Sequence, residues 1–491
     1  MHTPLPDRLY TAAQIREMDR RAIEHHGIPG YALMQRAGQA AFDALRARWP
    51  DARRVGVLCG PGNNGGDGYV IARLARSAGL EAWVVEAGDP SRLRGDAATA
   101  RTDWTEAGGC GVPAGEPWPE ADVLVDALLG TGLDREVSGS MAGLIDGINT
   151  SGAPVLAVDI PSGLHADTGA VLGRAVCAQV TITFIGLKTG LFTGEGPGRC
   201  GELVFSALEV PAAIQSDLEP AALRLDVACI ARLGARARTA HKGDFGHVLV
   251  VGGDRGMPGA VRLAGEAAAR TGAGLVSLAT HPDHAGLLPA GRPELMAHGV
   301  SDAADLAPLL SRATVLAVGP GLGRSDWGRR LMGRLLESGL PMAVDADALN
   351  LLAAEPARRD NWVLTPHPGE AARLLGCDTA AVQSDRLTAA RRIRETFGGV
   401  CVLKGPGTVV CDETGSAVCT GGNPGMASGG MGDVLTGIIA GLLAQGLETG
   451  EAARMGVCIH AEAADRAARE GGERGLLASD VIAHLRAVVN P

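Results

Sequence analysis

Along this chain, short apolar runs end in glycine turns and hand over to helical stretches, and this happens in two separate rhythms. The first reads RVGVLCG, a glycine loop GPGNNGGDG (60–68) and a helix YVIARLARSAG. It continues through AWVVEAG, helix DAATARTDWTEAG, VLVDALLGTG, helix GLIDGIN, PVLAVDIPSG, VTITFIG and GELVFSALEV. This strand–helix–strand order implies an α/β fold built on a mostly parallel, doubly wound sheet, with its loops collected at the strand C-termini. A break falls near 211–220. The second rhythm then runs from Arg224 through HKGDFGHVLVVGG, helix GAVRLAGEAAARTG, LVSLAT, VLAVGPG, PMAVDAD, NWVLTPH and GVCVLKG. The 491 residues have room for two or three domains at ~100–200 residues each. The expected domains are 1–215 and 224–491. Ahead of the first rhythm, Thr11 and Gln14 form a capping-box pattern, with Ile15, Met18, Ala22 and Ile23 on one helical face.

Composition narrows the function. A net charge of −10 and the lack of any basic run argue against nucleic-acid binding. The ten cysteines form no CxxC pair, so they read as small core residues in a reducing compartment. No apolar run reaches the ~20 residues needed to span a bilayer, and no signal-type segment is present at the N-terminus. The expectation is a soluble cytoplasmic protein. Of 45 basic residues only Lys188, Lys242 and Lys404 are lysines, each within two residues of a glycine. A lysine that persists in so arginine-rich a chain points to a need for a compact ammonium rather than a planar fork.

In the first rhythm, three strand ends carry polar groups: Asn63, Asn64 and Asp67; Asp126 with the loop GTGLDRE; and Asp159 with Ser162. In a parallel sheet these converge on one crevice. The loop is neither GxGxxG nor a P-loop. Asn63, Asp126 and Ser162 offer hard oxygen ligands for an alkali or alkaline-earth cation, and Asp159 is a candidate general base. Turn and cap roles for the same residues stand equally open.

The segments CGPGNNGGDG, VDALLGTGLDRE and AVDIPSGLHADTG resemble the NAD(P)H-hydrate epimerase family over the whole first half. The resemblance implies a Rossmann-like domain that equilibrates the R and S hydrates of NADH and NADPH (NADHX and NADPHX) at nicotinamide C6. It places potassium (K+) on Asn63, Asp126 and Ser162. It places the hydrate on Gly62, Asn63, Asn64, Gly65 and Gly66, on Gly130, Thr131, Gly132, Leu133, Asp134, Arg135 and Glu136, and on Asp159.

In the second rhythm the run NPGMASGGMGDVLTG reads as an anion-binding turn opening into an apolar helix, with Asp433 at the helix start. VVGGDRGMPGA and VGPGLG are further close-approach turns. TPHPGE sets His367 and Glu370 after a strand, LKGPGT ends a strand with a lysine and exposed backbone, and VDADALN adds Asp345, Asp347 and Asn350. Each has a plain reading as well: His367 as a loop residue, Asp345 and Asp347 as helix caps. In this order the motifs resemble the ADP-dependent NAD(P)H-hydrate dehydratases, of ribokinase-like fold. The resemblance implies that Lys404, Gly405, Pro406, Gly407, Thr408 and Gly432 hold the nucleotide, and that Ala260, Gly321, Gly323, His367 and Asp433 line the hydrate pocket. It makes Asp433 the base that activates the C6 hydroxyl toward the terminal phosphoryl group of ADP, with magnesium (Mg2+) assisting. Partners are then small molecules alone, neither nucleic acid nor membrane, in a homo-oligomer.

Two residues depart from the family pattern. Met431 stands in the middle of a turn expected to carry a small residue, and Asp254 stands where a small hydroxyl residue is usual. Two other readings compete: a vitamin-type alcohol kinase fused to a binding module, and a first half that only binds or assembles.

Overall fold

The computed structural model describes residues 5–490, so residues 1–4 and 491 of the expected domains lie outside the described residues. The chain forms two compact units, Met1–Leu223 and Arg224–Pro491.

Unit 1 is built on a 7-stranded sheet whose neighbouring strands all run parallel. Strand Arg54–Cys59 lies between Glu81–Glu86 on one side and Val123–Ala127 on the other, followed outward by Val155–Val158, Val180–Phe184 and Glu202–Ser206. Strand order reverses beside Arg54–Cys59. In such sheets ligands bind outside the strand C-termini at this reversal.

A short strand Arg8–Tyr10 pairs in parallel with Leu187–Lys188, register Tyr10 to Lys188. The helix Ala12–Glu24 follows, with the capping box in place at Thr11 and Gln14. Ile15, Met18 and Ala22 are buried, but Ile23 is 41% exposed, one step beyond the buried stripe.

The glycine loop differs most from expectation. Helix Asn63–Ser77 begins inside it, with Gly62 as N-cap, so NNGGD forms the first helical turns rather than a loop. The reason is close approach. A Cβ on Gly65 would lie 2.0 Å from the carbonyl oxygen of Gly60, and one on Gly68 would lie 2.7 Å from Cys59 Sγ. These glycines seat the helix against its own strand, which outweighs their ~1 kcal/mol helix penalty.

In unit 2 the strands from Met296–Gly299 through Leu275–Thr280, His247–Val251, Val315–Val318, Met342–Val344 and Trp362–Leu364 to Val400–Leu403 run parallel in that spatial order. Thr408–Asp412 and Gly415–Cys419 then add antiparallel. Helix Met431–Ala444 is buried along nearly its whole length, which explains why its sequence lacks a polar face. It packs on helix Pro258–Thr271 so tightly that a Cβ on Gly437 would come within 2.1 Å of the Ala264 oxygen. The ten cysteines are all free thiols, and no described helix is long and apolar enough to cross a membrane.

Candidate active sites

In unit 1, Asp159 follows strand Val155–Val158 and holds a left-handed backbone at φ +70°, a conformation rare for a non-glycine residue. Its N–H donates to the Ile182 oxygen at 2.7 Å, which fixes the turn. The carboxylate accepts a short hydrogen bond from Lys188 Nζ, in an ion pair whose lysine is fully buried. Lys188 spends its other protons on Thr183 Oγ1 at 2.8 Å and the Phe184 oxygen at 3.2 Å. The ammonium is therefore saturated and aimed.

Two further carboxyl groups sense this pair. Burial pushes Asp19 up to about 6, with Lys188 pulling it down and Asp159 pushing it up. Burial, then the like charges of Asp159 and Asp19, hold Asp67 well above the usual carboxylate range. Asp67 sits on the helix that opens at Asn63, and Asp19 on the N-terminal helix. Nothing in the sequence around Asp19 marks it: its helix reads as an ordinary amphipathic one, and only the pairing of Arg8–Tyr10 with the lysine strand draws that segment in.

Asp126 and Ser162 meet. Ser162 donates its N–H to Asp126 Oδ2 at 2.8 Å and its hydroxyl to Oδ1 at 2.6 Å, and both residues are fully buried. Ser162 Oγ in turn accepts the Leu129 N–H at 2.8 Å. Burial raises the Asp126 carboxyl to about 6 against the pull of Ser162, and among the described residues no basic side chain pairs with it. A buried carboxylate with a hydroxyl and the Leu129 carbonyl close by is a fitting donor set for a weakly hydrated cation. Asn63 is exposed at the helix start with no hydrogen bond to either residue, whereas Asn64 is buried with its amide nitrogen unpartnered and packs against Gly130. Beyond Gly130, the stretch from Thr131 to Glu136 forms a loop, with Gly132, Asp134, Arg135 and Glu136 exposed and Thr131 and Leu133 half-buried.

In unit 2, Lys404 Nζ pairs with Asp345 Oδ1 at 2.5 Å and lies 3.9 Å from Glu370 Oε2. Asp345 is the N-cap residue of helix Ala346–Ala354, yet its side chain makes no capping bond. It takes Lys404 on one oxygen and Thr436 Oγ1, at 2.9 Å, on the other. Burial pushes Asp345 up, but Lys404 and Thr436 outweigh it and its pKa ends lowered. For Asp345 the cap reading therefore fails. His367 does cap: it is N-cap of helix Pro368–Leu375 in a reciprocal box with Glu370, and it accepts from Gly369 N–H at 3.0 Å. Burial, and then Lys404, lower its pKa, so the ring is neutral at neutral pH.

Asp433 lies in the first turn of helix Met431–Ala444, whose N-cap Gly430 has φ +89°. Burial, and then Asp345, push it up to about 7, with Lys404 pulling the other way. Gly432 lies between: a Cβ there would come within 3.1 Å of both Asp345 Oδ2 and Lys404 Nζ. Met431 is buried at 6% exposure.

The other side of this region is the turn after Val315–Val318. A Cβ on Gly321 would lie 3.3 Å from that of Ala260, and Gly323 donates its N–H to Asp347 Oδ2 at 2.9 Å. Asp347 in turn raises Asp433, which ties this turn to the helix start. Asp254 packs on Gly323 and accepts from Ser325 Oγ at 2.8 Å, so here it braces the turn. Gly405 and Pro406 are exposed, and Thr408 closes their loop by donating to the Gly405 oxygen at 2.9 Å. Sequence reasoning missed Thr436, although a lone threonine in an apolar buried helix was a usable signal.

Two family models match, one described as NAD(P)H-hydrate dehydratase over residues 248–486 and one as YjeF-related protein N-terminus over residues 30–190. A bifunctional NAD(P)H-hydrate repair enzyme from Coxiella burnetii is 52% identical, over 98% of this chain and 99% of its own length. The chain belongs to the bifunctional NAD(P)H-hydrate repair enzyme family. An Escherichia coli repair enzyme is 46% identical over 99% of this chain and 95% of its own length. Among solved structures, a ribokinase-like superfamily protein from Enterococcus faecalis is similar to this chain, with TM-score 0.51 and 29% identity. It covers 54% of this chain and 95% of its own. Repair enzymes of this family thus join a Rossmann-like α/β unit to a ribokinase-like one.

Proposed function

We propose that residues 1–215 epimerise the R and S hydrates of NADH and NADPH and that residues 224–491 dehydrate the S hydrate at the expense of ADP. Asp433 carries the second half of this reading: a half-buried carboxyl pushed up to about 7, at a helix N-terminus, within the field of Lys404, which follows strand Val400–Leu403 and leads into the glycine turn. Asp433 takes the C6 hydroxyl proton as that oxygen attacks the terminal phosphorus of ADP. The bond to the bridging oxygen breaks and AMP leaves. The N–H groups at Gly430, Met431 and Gly432 and the Lys404 ammonium face the charge on the transferred group. The ring nitrogen then expels phosphate from C6, the neighbouring carbon gives up a proton, and the reduced nicotinamide is restored. Asp345 and Glu370 already spend oxygens on Lys404, Thr436 and His367. With those oxygens taken, magnesium would come with the nucleotide and would supply charge neutralisation there. Ten free thiols suit a cytoplasmic setting.

In unit 1 we assign acid–base work to Asp159, oriented by Lys188. Opening the ring, or losing and regaining the hydroxyl, scrambles C6. Asp126 and Ser162 would hold potassium, which would supply the missing countercharge. Asp126→Asn removes that charge, and epimerisation is expected to lose its dependence on potassium while its basal rate falls about tenfold. A potassium titration of initial rates, with lithium as the comparison ion, checks this.

The base must be ionised to act, and burial places Asp433 at about 7. The dehydration rate is therefore expected to rise with pH through a midpoint near 7 and level off above it. A pH-independent rate between 5 and 9, in a single-turnover assay of the S hydrate, would remove Asp433 from this role.

The test of the whole reading is recovery of reduced-nicotinamide absorbance from mixed R and S hydrates given ADP and magnesium. Full recovery supports both activities. A halt once the S fraction is spent leaves unit 1 without turnover.

A further inference from the structure

Helix Arg386–Phe397 opens on an arginine that is fully buried. Its NH2 donates to the oxygens of Leu403 and Lys404, each at 3.1 Å, and its NH1 to Gln383 Oε1 at 2.6 Å. Its Nε has no partner. Among the described residues no carboxylate pairs with it, and burial lowers its pKa to about 10. The thiol it senses, Cys401, is itself held neutral by burial. Directly above lies the exposed turn at Gly405 and Pro406. Gly405 has φ +133°, and a Cβ there would lie 3.0 Å from the guanidinium.

A buried cation with only neutral acceptors is costly for a fold to keep. The guanidinium also holds the carbonyl oxygens of Leu403 and Lys404 where the strand runs into the turn, and so fixes the start of the loop whose backbone would meet a phosphate. We infer that Arg386 is a positioning residue for the nucleotide, its missing countercharge supplied by the phosphates that bind on the turn of residues 404–408. The inference rests on the nucleotide reading above and adds to it a residue that neither touches solvent nor belongs to the glycine motif.

Gln383→Glu tests it with little change of shape. The new carboxylate, on an exposed residue, takes over the hydrogen bond that Arg386 NH1 makes to Gln383 and competes with the ligand's charge. In the full-length chain, binding of magnesium-ADP is expected to weaken about tenfold while adenosine binding stays the same. The KM for ADP should rise with little change in kcat, and the unliganded protein should melt no lower than the parent. Arg386→Gln should weaken ADP over adenosine in the same way if it folds. Equal ADP affinity in Gln383→Glu and the parent overturns the inference, as does equal loss of ADP and adenosine binding, which marks a purely structural role. Absence of saturable ADP binding in the parent protein overturns the nucleotide reading itself, and this inference with it.

Discussion

Asp433→Asn is expected to abolish dehydration, lowering kcat by about 10³-fold, and to leave epimerisation at its parental rate. The amide keeps the shape of the carboxyl and its place in the first helical turn but cannot accept the hydroxyl proton. The same substitution should not destabilise the unliganded protein above neutral pH. A carboxyl whose folded pKa is raised from 3.8 to about 7 costs the folded state stability once ionised; that cost is absent below about 4, grows between the two values and is complete above 7. Asparagine removes it. The two readouts separate chemistry from folding. Loss of activity with unchanged or improved resistance to denaturant assigns Asp433 to the reaction. Loss of both would make it a structural cap.

Lys188→Met carries the other large effect, on unit 1. The lysine has no exposed surface, and its partner Asp159 keeps 17% of its own. Removing it strands that carboxylate in a left-handed turn and leaves Thr183 Oγ1 without the lysine's hydrogen bond, while the Phe184 carbonyl keeps only the Gly186 N–H. Breaking one side of a buried pair costs about 3 kcal/mol. Epimerisation is expected to fall about 10³-fold, because the acid–base group loses the contact that aims it. Dehydration of pure S hydrate should continue. The R hydrate should then accumulate from a mixed sample, and chiral chromatography of the residual substrate would show it. Equal consumption of both epimers by Lys188→Met would place C6 scrambling away from this pair.

How far the sequence reaches differs between the two sites. In unit 2 the turn at Asp433, the lysine of LKGPGT and the aspartate of VDADALN were all visible as motifs, because each closes an apolar strand or opens a helix, and strand ends in a parallel sheet share one crevice. What was not legible was which aspartate caps and which pairs. Asp345 stands at a cap position and has the residue type of a cap, yet its carboxylate faces Lys404 and Thr436, which lie on a strand end and a helix far away in sequence. Local pattern cannot rank a capping bond against an ion pair whose partner arrives through the fold. The glycine loop of unit 1 hid a packing role. Its glycines read as a loop, whereas Gly65 and Gly68 lie in the first helical turns and let the helix approach its own strand.

The two α/β rhythms, the order of the glycine turns and, through the scarcity of lysine, the residues most in need of a compact charge can all be read from residue order alone. Lys188 and Lys404 stand at the two candidate sites, while Lys242 is exposed. These are properties of spacing and composition, and they survive without knowing any contact. The partners come from the folded arrangement: Asp19 and Asp67 beside the Lys188 pair, Ser162 on Asp126, Thr436 on Asp345, and Arg386 beneath its turn. Burial and distance set the charge state and direction of each group, and both arise when strands remote in sequence end side by side.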